Sequence, residues 1–244
     1  MATRIEWTQE TWNPLHGCTK VSEACQNCYA AVMANRLRGM GVRGYENGFR
    51  LTLHPWELEA PFKWKKPRKV FVCSMGDLFH EDVPFEYIDQ VMDVIRRCKR
   101  HTFQILTKRP ERMAEYFSYL VRPVPNNAWL GTTCESPEHY DRIAALTSIE
   151  MCQVKFLSCE PLLGYMWDIP LENIDWVIAG GESGVRARKT PVEWFRTLRD
   201  RCIETETPFF FKQWGAYGED GTKRNKKDNG SMLDGREWKQ MPRQ

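Results

Sequence analysis

From residue 70 onward the hydrophobic positions of the chain fall into short runs, and longer amphipathic stretches separate these runs. The runs are rich in Val, Ile and Phe and predict six strands, at residues 70–74, 103–107, 128–132, 154–158, 176–179 and 208–212. In the stretches between them apolar residues recur at spacings of three and four, which places them on one helix face. These stretches predict four helices, at residues 86–98, 110–120, 137–146 and 192–204. Alternating strands and helices indicate βαβ units and a parallel sheet.

The number of strands decides which parallel fold is expected. A further short strand is predicted near residues 6–12, and the total exceeds that of a small flavodoxin-like sheet. We therefore expect an α/β fold with a partial or complete parallel β/α barrel, in preference to an open doubly wound sheet. The barrel domain is expected over residues 1–215. Residues 216–244 are rich in Gly, Lys and Asp and predict a mobile polar appendage, packed on the barrel domain or extending from it.

Composition adds the class of protein. The 244 residues are 42% hydrophobic and 12% aromatic, which suffices for a sizeable core. The apolar runs are too short to cross a membrane, and the start of the chain lacks a secretory signal. The formal net charge of +3 is too small to indicate nucleic acid by itself. We expect a cytoplasmic protein with no membrane partner.

Polar or small residues follow each of the predicted strands. In parallel β/α folds ligands bind at the carboxyl ends of the strands, so these residues are expected to form a polar ring at one mouth. Any single one could simply cap a helix. Lys108 and Arg109 follow one strand, and either cation could pair with a carboxylate or phosphate. The paired glycines at 180 and 181 would let a ligand approach the backbone closely. The candidate residues at the strand ends are Cys73, Ser74, Asp77, Lys108, Thr132, Glu160, Gly180, Gly181 and Glu182.

Three of the nine cysteines are clustered, with the spacing C-x₆-C-x₂-C at Cys18, Cys25 and Cys28. An odd number excludes complete pairing in disulfides, and a reducing compartment favours metal binding or chemistry. Three thiolates on an iron–sulfur cube would leave one iron open for a substrate or cofactor. A zinc site would need His16 or His54 as a further ligand. Unliganded thiols are the third alternative.

Two other motifs have competing interpretations. Residues 39–44 match G-x-G-x-x-G, but an Ala-rich helical stretch precedes them, so they more plausibly end a helix than bind a dinucleotide. Residues 62–69 interleave Phe62 and Trp64 with basic residues. That pattern is found in solvated surfaces and also in nucleic-acid contacts.

At this point the motifs resemble a known family. A three-Cys loop after an early strand, with an aromatic residue beside the last Cys, resembles the radical S-adenosylmethionine (radical SAM) superfamily. More closely, the chain resembles the phage- and prophage-associated three-Cys-motif family. The matching segments lie between residues 12 and 238: WNPLHGC, CQNCYA, SMGDLFHEDVP, LTKRPERM, WLGTTCESPE, FLSCEPLLG, WVIAGGESG, FFFKQWG and LDGREW. Two features depart from the superfamily: the first Cys gap is six residues instead of three, and GGE at 180–182 follows a late strand instead of the second.

The resemblance implies a [4Fe–4S] cluster on Cys18, Cys25 and Cys28, with S-adenosylmethionine at the open iron. Reductive cleavage of that cofactor would give a 5′-deoxyadenosyl radical. An electron donor such as flavodoxin or ferredoxin would supply the electron. The resemblance to spore photoproduct lyase-like enzymes implies that polar residues at the strand ends hold the cofactor and that a Cys supplies a hydrogen atom. The matching positions are Ser74, Lys108 and Thr132 for the cofactor and Cys73 for the hydrogen atom.

The remaining cofactor contacts follow from the chemistry of S-adenosylmethionine. Lys108 is assigned to its carboxylate or a ribose hydroxyl, and Glu160 or Glu182 to its ammonium or ribose. We expect the substrate to be a nucleobase, in nucleic acid or in a nucleotide. A peptide or small metabolite is the alternative substrate, and a zinc- or cluster-stabilised binding protein without catalysis is the alternative function.

Overall fold

A computed structural model of the chain describes residue 3 and residues 5–119 and 123–242. Its strands are β1 (Glu10–Trp12), β2 (Leu15–His16), β3 (Thr52–Leu53), β4 (Lys69–Val72), β5 (Thr102–Thr107), β6 (Ala128–Thr133), β7 (Val154–Cys159), β8 (Trp176–Gly180), β9 (Phe209–Gln213), β10 (Met232–Leu233) and β11 (Arg236–Glu237). Its α-helices are α1 (Tyr29–Gly39), α2 (Phe85–Arg97), α3 (Pro110–Tyr119), α4 (Tyr140–Thr147), α5 (Val192–Glu204) and α6 (Lys226–Asn229). Short 3₁₀ helices lie at Glu23–Cys25, Pro55–Glu57, Ala60–Lys63 and Pro137–His139.

The described residues contain a seven-stranded sheet in the order β1-β4-β5-β6-β7-β8-β9. The strand pairs β1–β4, β4–β5, β7–β8 and β8–β9 are parallel. The predicted α/β fold class with a partial parallel β/α barrel is confirmed. Each predicted strand and helix overlaps an observed one. The predicted last residue of the second helix, Leu120, lies outside the described residues.

Burial explains why the apolar runs form strands. All residues of β6 and β8 are buried, so these strands have apolar or small side chains on both faces instead of an alternating pattern. The helices bury only one face. In α2 that face includes Ile88, Val91 and Ile95, which are fully buried. The period of the hydrophobic pattern therefore distinguished strand from helix.

The glycine-rich segment at 39–44 follows the helix α1, as its composition predicted. Gly39 is the last residue of α1, and Gly41 has a positive φ of 67°. No strand precedes this segment among the described residues 5–38 except β1 and β2, and α1 separates it from both. The segment is therefore a helix terminus and loop, the geometry that a dinucleotide fingerprint does not have.

The chain divides into two compact units. Unit 1 comprises Met1–Gly131 and Ile149–Gln153, and unit 2 comprises Thr132–Ser148 and Val154–Gln244. The predicted division at residue 215 stays a prediction, and residues 243 and 244 lie outside the described part. Within unit 2, the end of the polar segment is bonded to β9: Phe211 N donates to Trp238 O at 2.8 Å, and Gln240 N donates to Phe209 O at 3.2 Å.

Every helix within residues 5–119 and 123–242 is too short or too polar to cross a lipid bilayer.

In unit 1, Asn127 joins the end of α2 to the start of β5. Its Nδ2 donates to the carbonyl oxygens of Ile95 at 2.9 Å, Cys98 at 3.2 Å and His101 at 3.0 Å. Its own carbonyl accepts from Phe103 N at 2.7 Å. The side chain thus adds a donor to carbonyls at and after the carboxyl end of α2, where backbone donors are few.

Replacing Asn127 with Ala should lower the free energy of unfolding by about 1–3 kcal/mol, because partly buried carbonyls lose the hydrogen bonds of its amide group. Urea denaturation measures this loss. Asn47→Ala is the matched control, since Asn47 is exposed, and it should change the free energy by less than about 0.5 kcal/mol. Equal effects of the two substitutions would contradict the assignment.

Candidate functional site

The loop that begins at Cys18 is anchored beside the end of β4. Gly17 N donates to Met75 O at 3.0 Å, and Gly17 pairs with Gly76 in an isolated parallel bridge. Gly17 has a φ of 92°, and a Cβ there would lie 2.4 Å from Arg50 O. Only glycine fits this position, because it combines a left-handed φ with a close backbone approach. The anchor places Cys18 at the carboxyl end of β4.

Ser74 lies between the two ends of the cysteine loop. Its Oγ donates to Asn13 Oδ1 at 3.2 Å, and the same oxygen accepts from Met75 N at 3.1 Å. Tyr29, the first residue of α1, donates its hydroxyl to Ser74 O. Cys28 directly precedes that helix. The backbone around Ser74 therefore holds the Cys28 end of the loop as well as the Cys18 end.

Asp77 joins the carboxyl ends of β4 and β5. Its Oδ1 accepts from Phe79 N at 3.0 Å and from Thr107 Oγ1 at 2.7 Å. Its Oδ2 accepts from Lys108 N at 3.3 Å and from Arg109 Nη1 at 3.2 Å. A carboxylate has about four lone-pair sites, so the chain itself occupies the acceptor capacity of Asp77.

Arg109 is the residue that connects this carboxylate to the cysteine loop. It is only 7% exposed, and its Nη1 donates to Cys18 Sγ at 3.4 Å. Its Nη2 donates to Thr19 Oγ1 at 2.6 Å, and its Nε to Glu81 Oε2 at 3.0 Å. Burial alone would lower the pKa of Arg109, but the Asp77 and Cys18 charges outweigh it and raise that pKa, so the guanidinium stays charged.

The sequence identified Arg109 only as one of two cations after a strand, and Lys108 was the one assigned to the cofactor. The contact with Cys18 spans 91 positions of sequence and has no local signal. The chain places Lys108 in the same region: its backbone N–H bonds Asp77, and its charge acts on Cys25.

The thiols of the loop differ in acidity. Burial, with a smaller effect of the Asp77 charge, raises the pKa of Cys18 to about 11, although Arg109 opposes the shift. Burial would also raise the pKa of Cys25. Backbone hydrogen bonds in the preceding turn and the Lys108 charge outweigh that effect and lower it below its ordinary value.

All three loop thiols are free and partly exposed. Within the described residues, no group of three or more His, Cys, Asp or Glu side chains is arranged to hold a metal ion. The three sulfurs therefore do not form a ready-made site for one metal ion. What characterises the site is the contact of Cys18 and Cys25 with charged neighbours.

His16 and His54 form a buried pair next to the loop. His16 Nδ1 lies 3.0 Å from His54 Nε2, and His16 Nε2 lies 2.9 Å from Gly48 O. His54 Nδ1 lies 3.3 Å from Asn13 O. Both rings use both nitrogens inside unit 1, so either one would have to leave these contacts to become the further ligand of a zinc site.

Cys73 occupies a strained, buried position directly after β4. It is 2% exposed, has a φ of 58° and donates its N–H to Trp12 O at 2.8 Å. Burial raises the pKa of its thiol well above the ordinary value. A left-handed φ at a residue with a side chain costs energy and is found preferentially at functional sites. Its role as a hydrogen-atom donor stays a prediction.

The other candidate residues lie in unit 2. Glu160 Oε2 accepts from Lys212 Nζ at 2.7 Å, whereas its Oε1 is buried without a hydrogen-bond partner within the described residues. A Cβ on Gly180 would lie 3.1 Å from that Oε1. Thr132 is fully buried in β6. At the carboxyl ends of β7, β8 and β9 in unit 2, Glu160 thus has one carboxylate oxygen without a hydrogen-bond partner. This oxygen faces the backbone of Gly180, which has no side chain.

Gly181 and Glu182 are committed to contacts within unit 2. A Cβ on Gly181 would lie 1.9 Å from Trp214 O, so the glycine is required by a close backbone approach. Glu182 accepts from Arg188 three times: from Nη2 at 2.6 Å, from Nε at 2.9 Å and from the backbone N at 2.7 Å. A ligand of Glu182 would have to share this carboxylate with Arg188.

Comparison with known proteins gives a family and one distant structural likeness. The family model "Protein of unknown function (DUF5131)" matches residues 2–242. Among curated protein sequences, none matches the chain. Among solved structures, the chain is similar to a spore photoproduct lyase complexed with dinucleoside spore photoproduct, with a TM-score of 0.46 and 10% identity over 78% of this chain. The match covers 59% of that enzyme's chain.

The different thiol acidities predict an order of reaction with iodoacetamide in metal-free protein. Because the thiolate is the nucleophile, Cys25 should be alkylated about tenfold or more faster than Cys18 at pH 8. The rate at Cys18 should keep rising towards pH 11, the region of its pKa. Peptide mass spectrometry across a pH series measures both rates. The buried Cys159 and Cys202 serve as controls and should react only after unfolding; equal rates at Cys18 and Cys25 would contradict the assignment.

Proposed function

The chain belongs to the DUF5131 family of proteins of unknown function, and we propose that it is a radical S-adenosylmethionine enzyme. One observation carries the proposal: a buried, charged Arg109 bonds the first thiol of a three-thiol loop at the carboxyl ends of β4 and β5. Ligands of parallel β/α folds bind at these ends. The resemblance of the motifs to the radical SAM superfamily supports the same chemistry.

The donor set fits an iron–sulfur cluster. Such clusters are held by Cys thiolates, and Cys18, Cys25 and Cys28 are free and partly exposed in one loop. In a [4Fe–4S] cube each thiolate binds its own iron, so the three sulfurs are not required to converge on one point. Arg109 and Lys108 bring positive charge to Cys18 and Cys25, which favours the thiolate forms that ligation requires.

When bound, the cluster would supply the electron that cleaves S-adenosylmethionine to the 5′-deoxyadenosyl radical. Residues of unit 1 position the loop that would hold the cluster. Arg109 holds Cys18 in position, and Asp77 holds Arg109. Because its acceptor capacity is occupied, we assign Asp77 to positioning instead of direct contact with the cofactor. Ser74 offers a hydroxyl that Asn13 already orients.

Lys108 completes the proposed cofactor contacts of unit 1. Lys108 pairs with the carboxylate or a ribose hydroxyl of S-adenosylmethionine. In unit 2, the assignment of Glu160 to the ammonium or the ribose stays a prediction, and its Oε1 is buried without a hydrogen-bond partner in the described chain. A buried acceptor without a donor is costly, and a ligand N–H or O–H would relieve that cost. The assignment of Thr132, Gly180, Gly181 and Glu182 to cofactor binding stays a prediction.

The finer expectations from the sequence stay predictions. These are the phage association, the cytoplasmic location, the electron donor and the role of Cys73. Within this proposal the substrate is a nucleobase, free in a nucleotide or part of a nucleic acid. A peptide or small metabolite would require the same cluster and cofactor.

The proposal predicts iron binding and cofactor cleavage after anaerobic reconstitution with iron and sulfide. The wild-type chain should bind about four irons, the content of one cube, and form 5′-deoxyadenosine when reduced with S-adenosylmethionine. Replacing Cys18, Cys25 or Cys28 singly with Ala should abolish both. Metal analysis, the visible absorption spectrum and chromatography of the nucleoside products measure the outcome.

Cys98→Ala and Cys202→Ala are the matched controls for these substitutions, because both thiols are buried, one directly after α2 and the other on α5. They should leave the iron content unchanged. A purified chain that holds stoichiometric zinc and refuses iron would overturn the enzymatic proposal in favour of a binding protein.

Replacing Lys108 with Ala should weaken S-adenosylmethionine binding by about 1.5–3 kcal/mol, the range for a hydrogen bond to a charged group. The cluster itself should survive, since Lys108 is not one of the thiol ligands. Calorimetric titration of the reconstituted protein measures the affinity, and its absorption spectrum reports the cluster. Lys20→Ala, which removes an exposed charge, is the control. Unchanged affinity in Lys108→Ala would remove Lys108 from the cofactor site.

A further inference from the structure

Unit 1 carries a surface of exposed cations that the proposed chemistry does not use. We call it the basic face, and it consists of Lys63, Lys65, Lys66, Arg97, Lys99 and Arg100, all exposed. They come from residues 62–66 and 97–100, and neither segment contains an acidic residue. Within residues 5–119 and 123–242, Arg97 is the one member of the basic face that forms an ion pair, with Asp93 at 3.4 Å.

The two segments of the basic face are bonded to each other. Arg100 Nη1 donates to Lys65 O at 3.1 Å, and Thr102 N donates to Arg68 O at 2.9 Å. The rings of Trp64 and His101 meet edge to face, with centroids 5.6 Å apart. The cations therefore belong to one continuous surface and are not separate solvated side chains.

Aromatic rings lie among these cations. Phe62 is 43% exposed, and the Arg97 guanidinium stands 4.7 Å from its ring centroid. The Arg68 guanidinium stands 5.7 Å from the Trp64 ring. Surfaces that bind single-stranded nucleic acid combine backbone-tracking cations with aromatic and guanidinium planes on which bases stack. A carboxylate side chain would pair with the cations but would not stack on the exposed Phe62 ring, whereas a base of the strand can do so.

The basic face and the thiol loop lie at opposite ends of the same strands. Residues 62–66 precede β4, and residues 97–100 precede β5, which is parallel to β4. The contacts of the thiol loop are with residues that follow these strands, among them Met75 and Arg109. The six residues of β5 extend about 20 Å. The basic face is consequently too far from the thiols to be part of the same site.

We propose that the basic face is a docking surface for the phosphate backbone of a nucleic acid, separate from the site of chemistry. The chain holds one stretch of the polymer there and leaves the carboxyl ends of the strands to another ligand. This proposal does not depend on the cluster, because none of the residues of the basic face touches the thiol loop in the contacts described. A surface lysine contributes to such binding by releasing condensed counterions, so the interaction should depend steeply on salt.

The test measures fluorescence anisotropy of labelled single-stranded and duplex oligonucleotides with the full chain across a salt series. The variant K63Q/K65Q/K66Q should bind roughly a hundredfold more weakly near 100 mM salt than wild type. Its plot of log affinity against log salt should be flatter by about two for single strands, at about 0.7 for each lost contact. The oligonucleotide that wild type binds more tightly shows whether single-stranded or duplex nucleic acid docks there.

The matched control is K189Q/K226Q/K227Q, which removes the same charge from exposed positions of unit 2. It should keep the wild-type affinity and slope. Circular dichroism and thermal unfolding confirm that both triple variants are folded. An equal loss in the control, an unchanged slope in the variant, or no binding of either oligonucleotide by wild type would overturn the proposal.

A Cys18→Ala chain separates this proposal from the proposed function. It should bind oligonucleotides as wild type does, although it loses iron. Salt-dependent binding in a protein that never forms 5′-deoxyadenosine would leave the docking surface established and the radical chemistry refuted. Cofactor cleavage without oligonucleotide binding would support the radical chemistry and refute the docking surface.

Discussion

The Arg109 guanidinium is the group on which the arrangement around the thiol loop depends. It is buried and charged, so its donors have to be satisfied by acceptors of the chain, and it finds them in Asp77, Glu81, Thr19 and Cys18. These acceptors come from two separate stretches of sequence, residues 18–19 and 77–81, both distant from Arg109. A buried cation without such partners would be very costly. The loop, the end of β4 and the start of α3 are therefore fixed together by one charge.

The fold was predictable because its signal is periodic and local. Runs such as that of β8 are apolar at every position, whereas α2 repeats its apolar residues at helical spacing. Each segment can therefore be recognised as strand or helix from its own residues. The polar strand ends followed from the parallel sheet, since the direction of the strands determines which residues share an end. The small pair of β2 and β3 joins residues 15 and 53 and had no such signal.

The partners of the candidate residues could not be predicted, because they depend on contacts distant in sequence. Glu182 read as a free carboxylate at a strand end, yet the Arg188 fork occupies it. Asp77 read as a cofactor contact, yet Thr107 and Arg109 use its oxygens. The pattern of the basic segment at 62–69 left open whether it forms a solvated surface or a nucleic-acid contact. Its place before β4 assigns it to the other end of the strands.

The anchoring of the cysteine loop has a consequence for how a metallocofactor would be assembled. Gly17, Asn13, Tyr29 and Arg109 hold the loop through bonds between protein groups alone. In small zinc modules the metal supplies the folding energy, and chelation unfolds the chain. Here these contacts of the loop are made by protein groups themselves, so none of them requires a bound metal ion. Under the proposed function, loss of the cluster would then leave the anchoring hydrogen bonds of the loop in place.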